Sequence, residues 1–141
     1  MGAGEKAVAR YRGMVGMKLG VLNAASNASI MLLLASLIVA LYTDDVEIAA
    51  HAKSFLWLAA AFQLVDGLQV TANGALRGIK DTRVPMLITV AAYWLVGMPV
   101  AHQLGFSSAM GPSGLWWGLT SGLAVAALGL SLRFMSKSAR L

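Results

Sequence analysis

Side chains able to hold a proton or a metal ion inside an apolar environment are sparse in this 141-residue chain, and they gather in one stretch. Between Ser54 and Leu76 an otherwise hydrophobic run is interrupted by Gln63, Asp66, Gln69, Thr71 and Asn73, with Gly67 and Gly74 among them. At about 100° per residue, Gln63, Asp66, Val70, Asn73 and Arg77 share one side of a helix, flanked by Gly67 and Gly74. A central Asp costs a membrane helix about 2.5 to 3.5 kcal/mol on insertion scales. A low-dielectric site also disfavours the bare carboxylate. Such a group can be protonated or paired and simply hold helices together. It can also bind and release a proton, or exchange that proton for Na⁺, which is what cation coupling requires. Asp66 is therefore the candidate cation-binding residue and the candidate Na⁺ ligand.

Gln63, Gln69 and Asn73 are candidates to line a cavity around Asp66. Amides on a membrane helix also serve as plain interhelical hydrogen bonds, at about 0.6 kcal/mol on average. The same two readings hold for Asn23, Ser26, Asn27 and Ser29 in an earlier apolar run. Tyr93 and Trp94 fall midway along a third run, where they either pack or line a cavity for aromatic or cationic compounds. Gly114, Gly118 and Gly122 form a small-xxx-small series, the signature of close helix packing through bare backbone. Gly97 and Pro99 bend or loosen the third helix, as a hinge or as a static kink. His51 and His102 sit at helix ends with no metal-ligand partner at useful spacing. No nucleophile–base pair, phosphate-binding glycine loop or carboxylate dyad is visible, so the reading is not an enzyme and has no cofactor beyond a coupling ion.

The elements that carry these residues follow from composition. Hydrophobic residues make up 58% of the chain and charged ones 12%, with a mean hydropathy of +0.71. A soluble domain is about 45–50% apolar and about 25% charged, so this chain has too little polar surface to cover a globule in water. Cysteine is absent, which excludes disulfides and thiolate metal sites. The net charge of +5 is explained by membrane topology rather than nucleic acid, because the basic residues are confined to loops between apolar runs. A crossing helix needs about 20 mostly apolar residues. Four segments qualify: about 19–42, 54–76, 84–104 and 114–132, between a basic N-terminal loop over 1–18 and a basic tail over 133–141. Thr43-Asp44-Asp45 ends the first helix and caps a short turn through Glu47. Gly78 suits the position just past the second helix. Asp81 or Thr82 can cap the third, with Pro85 in its first turn, and Gly105 to Ser113 is a loop.

Ten of the eleven Lys and Arg residues fall on one side of this arrangement, and only Lys53 falls on the other, beside Asp44, Asp45 and Glu47. The positive-inside rule makes the basic side cytoplasmic, with both termini on it. Tyr42, Trp57, Phe106, Trp116 and Trp117 then form an aromatic belt at the outer interface. The expected architecture is an all-α, polytopic membrane helix bundle of four transmembrane helices.

Three runs carry a family resemblance. Phe62-Gln63-Leu64-Val65-Asp66-Gly67-Leu68-Gln69-Val70, continuing through Gly74-Ala75-Leu76-Arg77-Gly78-Ile79-Lys80-Asp81-Thr82-Arg83, resembles the tenth-helix signature of multidrug and toxic compound extrusion (MATE) transporters, closest to their bacterial NorM-like branch. Tyr93-Trp94-Leu95-Val96-Gly97-Met98-Pro99 and Gly111-Pro112-Ser113-Gly114-Leu115-Trp116-Trp117-Gly118 agree. Gly2-Ala3-Gly4, Ala9-Arg10 and Gly13 resemble the basic loop before the ninth helix.

The resemblance implies twelve helices in two six-helix halves, of which this chain would supply the ninth to twelfth, as a partial product or a piece of a longer protein. It implies exchange of H⁺ or Na⁺ for organic, often cationic, drug-like compounds across the bacterial inner (cytoplasmic) membrane. The partners expected are the lipid bilayer, those compounds and the remaining helices of a full-length transporter. By resemblance, Asp66 takes part in cation binding and Phe62 stands where the family often has Tyr, which removes a hydroxyl from that side. Two other classes stay open: a small self-assembling transporter or channel, and a non-transporting membrane remnant.

Overall fold

The computed structural model describes residues 3–108 and 110–140, and no strand occurs among them. Gly2 of the upstream motif, Ala109 of the third loop and Leu141 of the tail lie outside the described residues. The helices are α1 (Ala3–Leu33), α2 (Ala35–Ala40), α3 (Val46–Gly78), α4 (Arg83–Ala92), α5 (Met98–Phe106) and α6 (Pro112–Ala139). They assemble as four rods, because α1 runs into α2 and α4 runs into α5.

The segment expected as an N-terminal loop is helical from Ala3 onward. Its rod continues past Leu33 with one irregular residue, Leu34 (φ −91°, ψ 1°), across which hydrogen bonds persist from Leu34 N to Ile30 O and from Ile38 N to Leu34 O. The apolar run over 19–42 is thus divided between two helices. Three helical rods, Val46–Gly78, Arg83–Phe106 and Pro112–Ala139, are each long and apolar enough to cross a membrane. The first rod is not among these three. Asn23, Ser26, Asn27 and Ser29 dilute its apolar stretch, and its first half is basic. The whole is a membrane helix bundle.

Capping fixes where α3 begins. Asp45 Oδ1 accepts hydrogen bonds from Glu47 N at 2.8 Å and Ile48 N at 3.2 Å, satisfying amides that the first turn leaves unpaired. The expected turn through Glu47 is therefore the first turn of α3, and the rod reaches 33 residues, about 50 Å at 1.5 Å per residue. At its other end Asp81 N bonds Leu76 O and Lys80 N bonds Arg77 O, the paired closure of a Schellman motif. The left-handed residue there is Lys80 (φ 59°). Gly78, expected to fill that role, is still helical.

The third rod contains a π-helical turn over Tyr93–Gly97. Pro99 has no N–H to give the preceding turn, and Met98 N reaches back to Tyr93 O, one residue further than in an α-helix. Gly111 (φ +55°) then turns the chain into α6 with Pro112 at its start.

α3 and α6 form the centre of the bundle, with α1 packed on one side of α3 and the α4–α5 rod on α6. Gly114, Gly118 and Gly122 are buried where α6 crosses α5 and the π-turn. A Cβ on Gly118 would run into the backbone of Ala101, and one on Gly122 would stand 2.7 Å from Gly97 Cα. Only bare backbone allows this approach. The buried core is Ala72, Leu76, Leu130 and Phe134, with Met17, Ala75, Ile79 and Ile88 against it. It sits toward the basic end of the bundle.

Candidate functional site

Asp66 lies 11 residues before Arg77 on a continuous helix, about 16 Å along the axis. With Arg77 at the interface, that distance is half of the ~30 Å hydrocarbon thickness. The Asp66 side of α3 faces α1 across a groove of about 250 Å³. Asn23 and Asn27 line it from α1; Gln63, Asp66 and Thr71 line it from α3, together with Gly20, Ala24, Gly67 and Val70.

The small residues make the groove narrow. A Cβ on Gly67 would press on Ala24, and one on Gly20 would collide with Thr71. The two backbones therefore approach closely, which brings the α1 amides opposite the α3 carboxylate. Asn27 Nδ2 points at Asn23 Oδ1 at 3.5 Å, so the two amides are neighbours one turn apart. Thr71 Oγ1 donates to Gly67 O at 2.7 Å and leaves its lone pairs as acceptors. Among the described residues, the ion pairs that α6 makes are with Asp81, and no Lys or Arg reaches Asp66. The groove thus presents one carboxylate and several neutral oxygens, and no Lys or Arg lines it.

The structure divides the sequence candidates. Gln63 and Asp66 share the groove; Phe62, Gln69, Asn73 and Tyr93 do not line it. Phe62 turns toward α6, where its ring meets Trp116 edge to face, centroids 5.9 Å apart and planes at 86°. Gln69 is buried, and the Tyr93 hydroxyl lies near it. Asn73 is half-buried further along α3. Trp94 is exposed and does not line the groove. On α1, Ser26 returns its hydroxyl to Leu22 O and Ser29 is exposed. His51 Nδ1 lies 2.9 Å from Glu47 O, and His102 stacks near Phe106.

Sequence reasoning missed one charged centre. Asp81, expected as a helix cap, is buried and bridges two cations of α6: Arg133 Nε at 3.0 Å and Lys137 Nζ at 3.1 Å. Thr82 occupies the cap position of α4 without a side-chain cap bond. Burial would raise the Asp81 pKa, but the hydrogen bonds from Lys137 and Arg133, and their charges, outweigh it and hold the carboxyl below its ordinary 3.8. The available signal was the four-residue spacing of Arg133 and Lys137, which places both on one face of α6.

The profile of the MatE family matches residues 1–102. Multidrug resistance protein NorM of Burkholderia vietnamiensis is 42% identical over 146 residues, covering 100% of this chain and 32% of its own length. Multidrug resistance protein PmpM of Pseudomonas aeruginosa is 46% identical over 144 residues, covering 99% and 30%. Probable multidrug resistance protein NorM of Xanthomonas axonopodis pv. citri is 45% identical over 141 residues, covering 100% and 31%. The chain spans about a third of the length of these curated relatives.

Proposed function

Since this chain belongs to the MatE family, we propose that it is the C-terminal part of a cation-coupled antiporter that exports organic, often cationic, compounds, with Asp66 as the residue that binds the coupling H⁺ or Na⁺. One observation carries this reading. Asp66 lies in a polar groove, within a helix long and apolar enough to cross a membrane, and no described Lys or Arg neutralises it. A carboxylate in that position is disfavoured without a positive partner, so its partner is an ion that comes and goes. Occupancy of the groove then biases the bundle between inward- and outward-open states, to the extent that the ion binds one state better.

The names of the relatives support drug export. Their greater length supports the view that further helices close the open side of the groove and complete a substrate cavity between two halves, where transporters of this kind place it. The lateral excess of Lys and Arg supports insertion in the bacterial inner membrane with both ends of this segment in the cytoplasm.

The test is Asp66→Asn in the full-length transporter that carries this segment, produced in an efflux-deficient bacterium. Export of ethidium and its dependence on Na⁺ or pH are expected to fall to background. Efflux with unchanged cation dependence would overturn the proposal. A self-assembling channel would instead reveal itself as transport by this chain alone with defined crosslinked oligomers.

A further inference from the structure

We propose that the basic end of the bundle holds one anionic phospholipid, its acyl chain in the groove between α1 and α6 and its headgroup phosphate on Lys18. The inference goes beyond the ion-coupling reading and does not depend on Asp66.

A groove of about 530 Å³ opens where α1 parts from α6. The two helices are pinned together at their basic ends, where the fully buried Phe134 ring packs on Gly13. A Cβ on Gly13 would overlap that ring, so bare backbone sets the pinning point. Beyond it, Met14, Met17 and Leu22 of α1, Leu68 of α3, and Phe134 and Met135 of α6 line the groove. Its α1 wall runs from Met14 to Ala25, about 16 Å at 1.5 Å per residue. One leaflet of a ~30 Å hydrocarbon core has about that depth. Met14, Leu22 and Met135 are exposed, so the groove is open along its length.

Every wall residue except Lys18 is apolar, and among the described residues no carboxylate lines the groove. Helical side chains lean toward the helix N-terminus, which for α1 is the basic end. The Lys18 stem therefore follows the apolar wall while its ammonium reaches for the membrane surface. Arg10 precedes it by two turns, in the four-residue row Arg10, Met14, Lys18, and extends the positive charge outward from the groove mouth. An anionic phospholipid satisfies both parts: the chain covers the apolar walls and the phosphate pairs with the ammonium. Basic pockets between membrane helices recognise lipid headgroups in this way. Met14, Met17 and Met135 are unbranched and adapt to a chain with many conformers. A cationic compound would instead meet Lys18 as a like charge. A further helix laid in the groove would have to bring its own carboxylate.

The experiment titrates dioleoyl phosphatidylglycerol or dioleoyl phosphatidylcholine into the delipidated full-length transporter that carries this segment, in neutral detergent. Native mass spectrometry reads the first bound lipid. The parent is expected to prefer phosphatidylglycerol. Lys18→Gln should raise the Kd for the first phosphatidylglycerol roughly fivefold, the effect of one basic residue near an anionic surface, and abolish the preference. Ala25→Phe fills the inner end of the groove and keeps the charge, so it should weaken both lipids. Lys53→Gln, at the opposite end, should change neither. The inference is overturned if the parent binds the two lipids equally, or if Lys18→Gln or Ala25→Phe binds phosphatidylglycerol like the parent, as expected where another helix covers the groove. Displacement of the lipid by inorganic phosphate alone would also overturn it, because the site would then serve a soluble anion. Asp66→Asn leaves all these values unchanged, so the outcome is separate from that of the antiporter reading.

Discussion

Two aspartates fifteen residues apart in the chain meet opposite surroundings. Asp81, at the basic end of the bundle, is buried against Arg133 and Lys137 of α6 and sits beside the Leu76–Leu130–Phe134 core. Asp66, beside Gln63 on α3, faces Asn23 and Asn27 of α1 across an open groove. The first charge is neutralised permanently by the protein. The second shares its groove with no described Lys or Arg. A permanent partner makes an aspartate structural. Leaving that partner out is what the proposed cation-binding role of Asp66 requires. The helix seams differ in lining rather than in closeness. α6 meets α5, and α1 meets α3, through glycines with no room for a methyl group, but the α1–α3 seam also carries Asn23, Asn27, Gln63 and Asp66 along its groove.

The sharpest way to break this comparison is to overfill the tight seam. Gly118→Leu forces a side chain into the Ala101 backbone and is expected to cost about 3 kcal/mol or more. Gly74→Leu, on α3 where nothing lies within 4 Å, should be neutral or slightly stabilising, because Leu is the better helix former. Thermal unfolding in detergent measures both. Equal effects at the two sites would mean that the α5–α6 seam is not the tight one.

Exchanging carboxylates for amides addresses the aspartates directly. Asp81→Asn removes the acceptor of two charged hydrogen bonds and is expected to cost about 2 kcal/mol, moderated because Arg133 and Lys137 are each about a third exposed and can turn to water. Asp66→Asn should leave stability unchanged or raise it, since an uncompensated charge is lost. If Asp66→Asn proves the more damaging of the two in unfolding assays, the assignment of roles is reversed.

Acidity separates the same pair without mutation. The Asp81 pKa is held below 3.8. Its ion pairs therefore add stability throughout the range above the ordinary carboxylate value, and that contribution disappears only as the pH falls below 3.8. Unfolding in Asp81→Asn should show no such acid-dependent loss. A parent and a variant with identical acid profiles would show that the bridge to α6 does not form in solution.

Asp66 and the glycine series were legible because each violates a local rule. A carboxylate in an apolar run needs a reason, and three glycines at a four-residue interval on a helix need a close neighbour. Three apolar rods were legible from run length alone. The Asp81 bridge was not, because its partners lie about fifty residues away and a local reading offers Asp81 a helix cap instead. The continuity of α1 through the basic segment was missed because positive charge reads as a loop, although Lys and Arg are good helix formers. The start of α3 at Val46 was missed for a similar reason: the cap at Asp45 is a local signal, but the polar residues after it look like a turn.

The smallest effect concerns the end of α3, where local chemistry and conformation disagree. Gly78 has the residue type for a left-handed cap, yet Lys80 adopts the left-handed conformation. A left-handed conformation costs a non-glycine residue roughly 1–2 kcal/mol, and glycine returns part of that gain through its freer unfolded chain. Lys80→Gly is therefore expected to stabilise the bundle by about 0.5 kcal/mol. The gain should be independent of Asp81→Asn if the cap and the ion pairs act separately, and a double-mutant cycle reads that directly. Asp81 N, however, bonds Leu76 O to close the same motif whose carboxylate reaches α6. A coupling above about 0.5 kcal/mol between the two substitutions would show that the Lys80 turn exists to aim the Asp81 carboxylate. The basic-end junction would then be one cooperative unit, unlike the groove around Asp66.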